Sequence, residues 1–185
     1  MPLTPDADMW RSSRVSAGYV ADYKPFSFVD GQGVRCALYV SGCLFKCEGC
    51  FNEAAWSFRY GSPYSRDLED RVVRDMNHPS VQGLSLLGGE PFLNTEVCLS
   101  LARRARAEFG EAKDVWAWSG YRFDELLAAG EDKLELLRMV NVLVDGPYLA
   151  QERDLSLQFR GSRNQRVLDV KASLEAASAV PWSGV

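Results

Sequence analysis

The sequence predicts an α/β domain built as an open, partial (β/α) barrel of about five to six units. Short β-branched or aliphatic runs alternate with amphipathic helical patterns along most of the chain. Such alternation implies βαβ units with right-handed crossovers, and therefore a parallel sheet. The 185 residues also fall short of the roughly 250 that a closed eight-unit barrel takes, which leaves one side open.

Strands are expected at residues 34–40, 84–87, 114–118, 140–144 and 166–170, where aliphatic residues dominate. Ser65 can cap a helix running to Asn77, with Leu68, Val72 and Met76 on one face. Asn94 or Thr95 can start a second helix, whose apolar stripe of Cys98, Leu101, Ala102, Ala105 and Phe109 ends at Gly110. A third helical stretch over residues 123–138 is interrupted at Gly130. No repeat or linker divides the chain. Residues 15–170 read as one domain, with a disordered tail over 1–14 and a tail or short helix over 171–185.

A hydrophobic fraction of 46% without a long apolar run supports a globular core and no membrane span. The 21 basic residues nearly balance 25 acidic ones, and a net charge of −4 argues against a nucleic-acid surface. The first 14 residues lack the features of a secretory signal or transit peptide, so a cytoplasmic location is expected.

Five cysteines are too few and too uneven for a disulfide scaffold. Three of them, Cys43, Cys47 and Cys50, form C-x-x-x-C-x-x-C after the 34–40 strand. Thiolates bunched in this way can hold three corners of a [4Fe-4S] cubane, leaving one iron open to a substrate or cofactor. A zinc-stabilised interaction module is the alternative of a different class. It needs a fourth donor from Cys36, Cys98, His78 or a carboxylate, because structural zinc is four-coordinate. Cys36 and Cys98 read as core residues, and His78, before Pro79, as a turn residue.

The cysteine run resembles the signature of the radical S-adenosylmethionine (SAM) superfamily. Gly49 stands where many members carry an aromatic residue, and the aromatic residue here, Phe51, follows the third cysteine. In that detail the chain resembles the activating proteins of anaerobic ribonucleoside-triphosphate reductase. The resemblance extends through Trp56, Gly88-Gly89-Glu90-Pro91, Trp116-Ala117-Trp118-Ser119-Gly120-Tyr121, Val144-Asp145-Gly146 and the 160–166 segment, covering about residues 19–170 in order. It implies a barrel of radical SAM type and a radical SAM oxidoreductase, a glycyl radical enzyme activase. Such a protein cleaves SAM reductively and removes a hydrogen from a glycine of the reductase, its protein substrate. A flavodoxin-type protein is the implied electron donor. Another glycyl radical enzyme such as pyruvate formate-lyase, or a small molecule, is the alternative substrate.

The resemblance makes Cys43, Cys47 and Cys50 the cluster ligands. It places Gly49, Phe51, Gly88, Gly89, Glu90 and Pro91 at SAM, with Glu90 meeting an ammonium group. Ser119 is either a SAM contact or a turn residue, and Asp145 is either a SAM contact or the start of an Asp-Gly-Pro turn. Residues 160–166 read as a solvated loop or as a partner contact. The cysteine loop, Gly88 to Pro91, Ser119 to Tyr121 and Asp145-Gly146 each follow an expected strand, so these four loops fall at strand C-terminal ends, where α/β barrels build their sites.

Overall fold

The computed structural model describes residues 2–6 and 9–184. In chain order the elements are α1 (Ser12–Val15), β1 (Tyr19–Ser27), β2 (Val34–Val40), β3 (Ser62–Pro63), α2 (Arg66–Met76), β4 (Val81–Gly88), α3 (Thr95–Phe109), β5 (Asp114–Trp118), α4 (Phe123–Leu127), α5 (Glu131–Met139), β6 (Val142–Asp145), β7 (Arg166–Asp169) and α6 (Val170–Ala176). Helix starts follow the capping chemistry of the sequence. The Ser65 hydroxyl accepts the Leu68 N–H at 3.2 Å to begin α2, and Gly130 divides α4 from α5 as the residue before Glu131. No described helix is long and apolar enough to cross a membrane.

Among the described residues the strands form one seven-stranded sheet in the order β3-β1-β2-β4-β5-β6-β7, whose end strands β3 and β7 do not pair with each other, so it does not close. Residues 180–182 run beside β7 through an isolated Leu168–Pro181 bridge. The expectation of an all-parallel sheet of five to six units is corrected. Parallel pairing is confined to β2–β4, β4–β5 and β5–β6. β1 is antiparallel to β2, and β7 is antiparallel to β6. The 166–169 strand is reached without a crossover helix, because residues 146–165 fold over the strand ends with only a short 3-10 turn at Ala150–Glu152. β1 escaped the sequence reading because most of its residues are only half-buried or exposed, so that Asp22, Lys24 and Pro25 stand where a buried strand would carry an aliphatic run.

Alternating residues of each strand face opposite layers. Cys36, Leu38, Val40, Leu84, Leu86, Val115, Ala117 and Leu143 pack against Val72, Met76, Cys98, Leu101, Ala105 and Leu136 of the helices. On the other face Trp116, Val142, Val144 and Val167 meet Phe159 and Trp182. Trp182, from the expected C-terminal tail, packs edge-on against Trp116 with 4.9 Å between centroids.

The N-terminal stretch also differs from the expected disordered tail over its described residues. Trp10 is buried, and the Ser12 hydroxyl accepts the Thr95 N–H at 2.9 Å, capping the start of α3. A large aromatic residue close enough to reach the core holds this stretch despite its polar composition.

Candidate functional site

β2 ends in a loop that turns at Ser41-Gly42 and carries the three cysteines. Backbone bonds close it: Gly42 N–H donates to the Ala55 carbonyl at 2.8 Å and Cys43 N–H to that of Trp56 at 3.2 Å. Between the second and third cysteines, Gly49 holds a φ of +73°, a left-handed turn that glycine adopts without steric penalty. β4 ends beside this loop. Glu90 N–H donates to the Gly42 carbonyl at 2.9 Å, and Gly89 N–H to that of Val40 at 2.7 Å. A Cβ on Gly89 would lie 2.6 Å from the Gly42 carbonyl oxygen, so only glycine permits this approach of the two loops.

Cys43, Cys47 and Cys50 line a single cavity of about 540 Å³, together with Gly49, Phe51, Gly88, Gly89, Glu90 and Ser119. That volume lies within the range of small-molecule sites, about 300–1,000 Å³. Pro91 and Asp145 are not on its wall. Pro91 is buried and opens a short 3-10 turn. The Asp145 carboxylate accepts the Phe123 N–H at 2.8 Å and the Arg166 Nε–H at 2.9 Å. It therefore ties β6 to α4 and β7.

Glu90 is 1% exposed. One of its carboxylate oxygens accepts the Phe92 N–H and the Ser119 hydroxyl, at 3.0 and 2.8 Å, and the other accepts the Gly120 N–H at 2.8 Å. Burial outweighs these bonds and pushes its carboxyl up to about 7. Burial, reinforced by the nearby Glu90 charge, likewise pushes the Cys43 thiol up, and burial raises that of Cys47. A bound cation reverses that balance, since a metal-bound thiol deprotonates outright.

All five cysteines are free. Cys36 and Cys98 are buried away from the cavity, Cys36 donating its Sγ–H to the Pro25 carbonyl at 3.2 Å. His78 is exposed in a turn, where its Nδ1 accepts the Ser80 N–H. Neither cysteine nor His78 is brought to the trio as a fourth donor. Among the described residues no three His, Cys, Asp or Glu side chains gather as ligands of a single ion. A cubane asks for something different, because each thiolate binds a separate iron and the ligands stand apart around the cluster. Three soft donors spaced along one cavity wall fit such a group.

Several wall residues were missed by sequence reasoning, notably Asp30, Tyr148, Arg153 and Phe159. Asp30 accepts the Tyr39 hydroxyl at 2.6 Å. Three of the four come from, or border, the 146–165 excursion, which has no periodic pattern to mark it. The 160–166 loop is also less solvated than expected. Gln165 accepts the Gly161 and Ser162 N–H groups and donates to the Gly146 carbonyl at 3.0 Å, and Arg163 pairs with Asp154.

A family model described as a 4Fe-4S single cluster domain matches residues 29–168. An anaerobic ribonucleoside-triphosphate reductase-activating protein of Salmonella typhi is 42% identical over 149 residues, covering 78% of this chain and 94% of the relative. The protein of the same name from Escherichia coli K12 matches at the same identity and coverage. One from Enterobacteria phage T4 is 38% identical over 147 residues, covering 77% of this chain and 88% of its own length. The chain belongs to the family of anaerobic ribonucleoside-triphosphate reductase-activating proteins.

Proposed function

We propose that this protein is a radical SAM activase that generates the glycyl radical of an anaerobic ribonucleoside-triphosphate reductase. The observation that carries the reading is the joint placement of Cys43, Cys47 and Cys50 with Gly89, Glu90 and Ser119 on one cavity wall. The names of the relatives support the choice of reductase as target. The four parallel strands, with site loops at their C-terminal ends, support a partial barrel of radical SAM type.

Cys43, Cys47 and Cys50 hold a [4Fe-4S] cluster in this reading, with SAM beside it. Together, when bound, these groups supply the electron and the adenosyl radical that takes a hydrogen atom from the reductase glycine. The chain's own residues bind, orient and shield. Gly88 and Gly89 let backbone come close to the methionine part of SAM. Glu90 keeps an acceptor site for its ammonium, since a carboxylate offers about four lone-pair positions and three are taken here. Ser119 acts through Glu90, to which its hydroxyl donates. Gly49 and Phe51 border the SAM site next to Cys50, and Phe51, 84% exposed, has an open face for a ligand. Pro91 and Asp145 support the surrounding loops. The open edge of the sheet leaves room for a polypeptide segment of the reductase. A flavodoxin-type donor and a reducing, cytoplasmic setting complete the proposal, in keeping with five free thiols.

Anaerobic reconstitution with iron and sulfide, followed by reduction and addition of SAM, tests this reading. The expected result is release of methionine and 5′-deoxyadenosine. A stoichiometric zinc site that persists under these conditions, with no SAM cleavage, would overturn it.

A further inference from the structure

The segment before β1 reaches the site from behind. Trp10, Phe45 and Tyr121 come from three separate parts of the chain and form a closed triangle of edge-on rings. Their centroids are 4.8 Å apart for Trp10–Phe45, 5.1 Å for Phe45–Tyr121 and 6.0 Å for Trp10–Tyr121. All three side chains are buried. Phe45 lies between Cys43 and Cys47 and lines the cysteine cavity. Tyr121 follows Ser119 and Gly120, two of the three residues that donate to the Glu90 carboxylate.

The segment is itself anchored. The Trp10 carbonyl accepts from the buried Lys133 Nζ at 2.9 Å, two residues before the Ser12 hydroxyl that caps α3. The Leu3 N–H donates to the Phe45 carbonyl at 2.9 Å, a second hold on the cysteine loop. Leu3, Trp10 and Ser12 lie outside the 29–168 span that the family model matches.

We propose that Trp10 is a positioning residue that locks the cysteine loop against the Glu90-holding loop through Phe45 and Tyr121. The inference rests on the reading of Cys43, Cys47 and Cys50 as cluster ligands, but its first test does not require the cluster. Edge-to-face ring pairs are directional, so removing the indole takes away two oriented contacts and leaves a void behind Phe45. The loop then opens locally without the sheet unfolding.

Alkylation rates of the individual cysteines in the metal-free protein provide that test, because Cys36 and Cys98 sit in the helix-facing core and report global opening. In Trp10→Ala, alkylation of Cys47 and Cys43 is expected to accelerate about tenfold while Cys36 and Cys98 keep their wild-type rates. Trp10→Phe is expected to restore most of the protection. A second readout is the change that SAM produces in the spectrum of the reduced, reconstituted protein, expected to weaken in Trp10→Ala and return in Trp10→Phe. Equal acceleration at all five cysteines, or none at any, would overturn the positioning role. If the wild-type protein fails to take up a cluster, the proposed function falls while the alkylation result still decides the role of Trp10.

Discussion

The Ser119 hydroxyl donates to the Glu90 carboxylate across 2.8 Å, joining the loop after β5 to the loop after β4. Glu90 N–H in turn donates to the Gly42 carbonyl, next to Cys43. Three successive parallel strands are thereby connected at their C-terminal ends, and a disturbance in one loop reaches the other two.

That coupling governs the outcome at Gly89. Gly89→Ala is expected to impair cluster uptake as well as SAM binding, because the new Cβ meets Gly42 backbone rather than open cavity. The strain is expected to cost about 1–3 kcal/mol in urea unfolding of the metal-free protein. Iron content and SAM affinity measured on the same preparation check the claim. Wild-type iron content with SAM binding alone reduced would show that the two loops move independently.

Among the cysteines, Cys43→Ala, Cys47→Ala and Cys50→Ala are each expected to abolish a stable [4Fe-4S] cluster, whereas Cys36→Ala and Cys98→Ala retain it. The latter pair lose buried volume and therefore stability only. Iron and sulfide analysis after anaerobic reconstitution separates the two groups. A cluster that required Cys98 would refute the ligand assignment.

Arg35 is fully buried on β2. Its Nε–H donates to the Ser85 hydroxyl at 2.7 Å and it pairs with Asp114 at the start of β5. Its guanidinium also lies over the Trp116 ring, 5.2 Å from the centroid. Arg35→Ala is expected to destabilise the protein by about 2–5 kcal/mol, because it leaves a cavity where a fully buried side chain stood and removes the donor to the Ser85 hydroxyl and the Leu84 carbonyl, whereas Asp114 stays in reach of water. Denaturant titration gives the value, and a loss below about 1 kcal/mol would mean that water replaces the side chain.

Glu69 of α2 supplies the pH dependence. Burial alone would raise its carboxyl, but bonds from the Ser100 and Tyr64 hydroxyls and from Arg104 and Arg66 hold it below its ordinary value. The folded state then binds the proton less tightly than the unfolded chain, so stability falls with acid. The contribution is fully present above the unfolded value, about 4.3. It fades as the pH drops through the lower folded value. Glu69→Gln is expected to cost about 1–3 kcal/mol at neutral pH and progressively less below about pH 4. A gap from wild type that stays constant across this range would exclude the linkage.

What the sequence made legible was local. Three cysteines within eight residues mark the cluster loop without any fold, and strong aliphatic runs located β2 and β5 at their observed bounds. Gly110 and Gly130 marked helix ends because they act within a turn or two. The partners of Arg35, Asp145 and Trp10 were illegible, since Asp114, Arg166 and Phe45 are set beside them only by tertiary packing. The direction of β7 was hidden for a related reason. Strand composition does not encode orientation, and the 146–165 segment lacks the helix that would have signalled a parallel return.

The glycyl-radical function is tested most directly by mixing the cluster-loaded, reduced protein with SAM and the anaerobic reductase of its own organism, then recording the electron paramagnetic resonance spectrum. The expected result is a glycyl signal in the reductase, absent when the radical-bearing glycine is replaced by alanine. A preparation that cleaves SAM yet leaves the intact reductase without that signal, or that produces it only in pyruvate formate-lyase, would contradict the function proposed here.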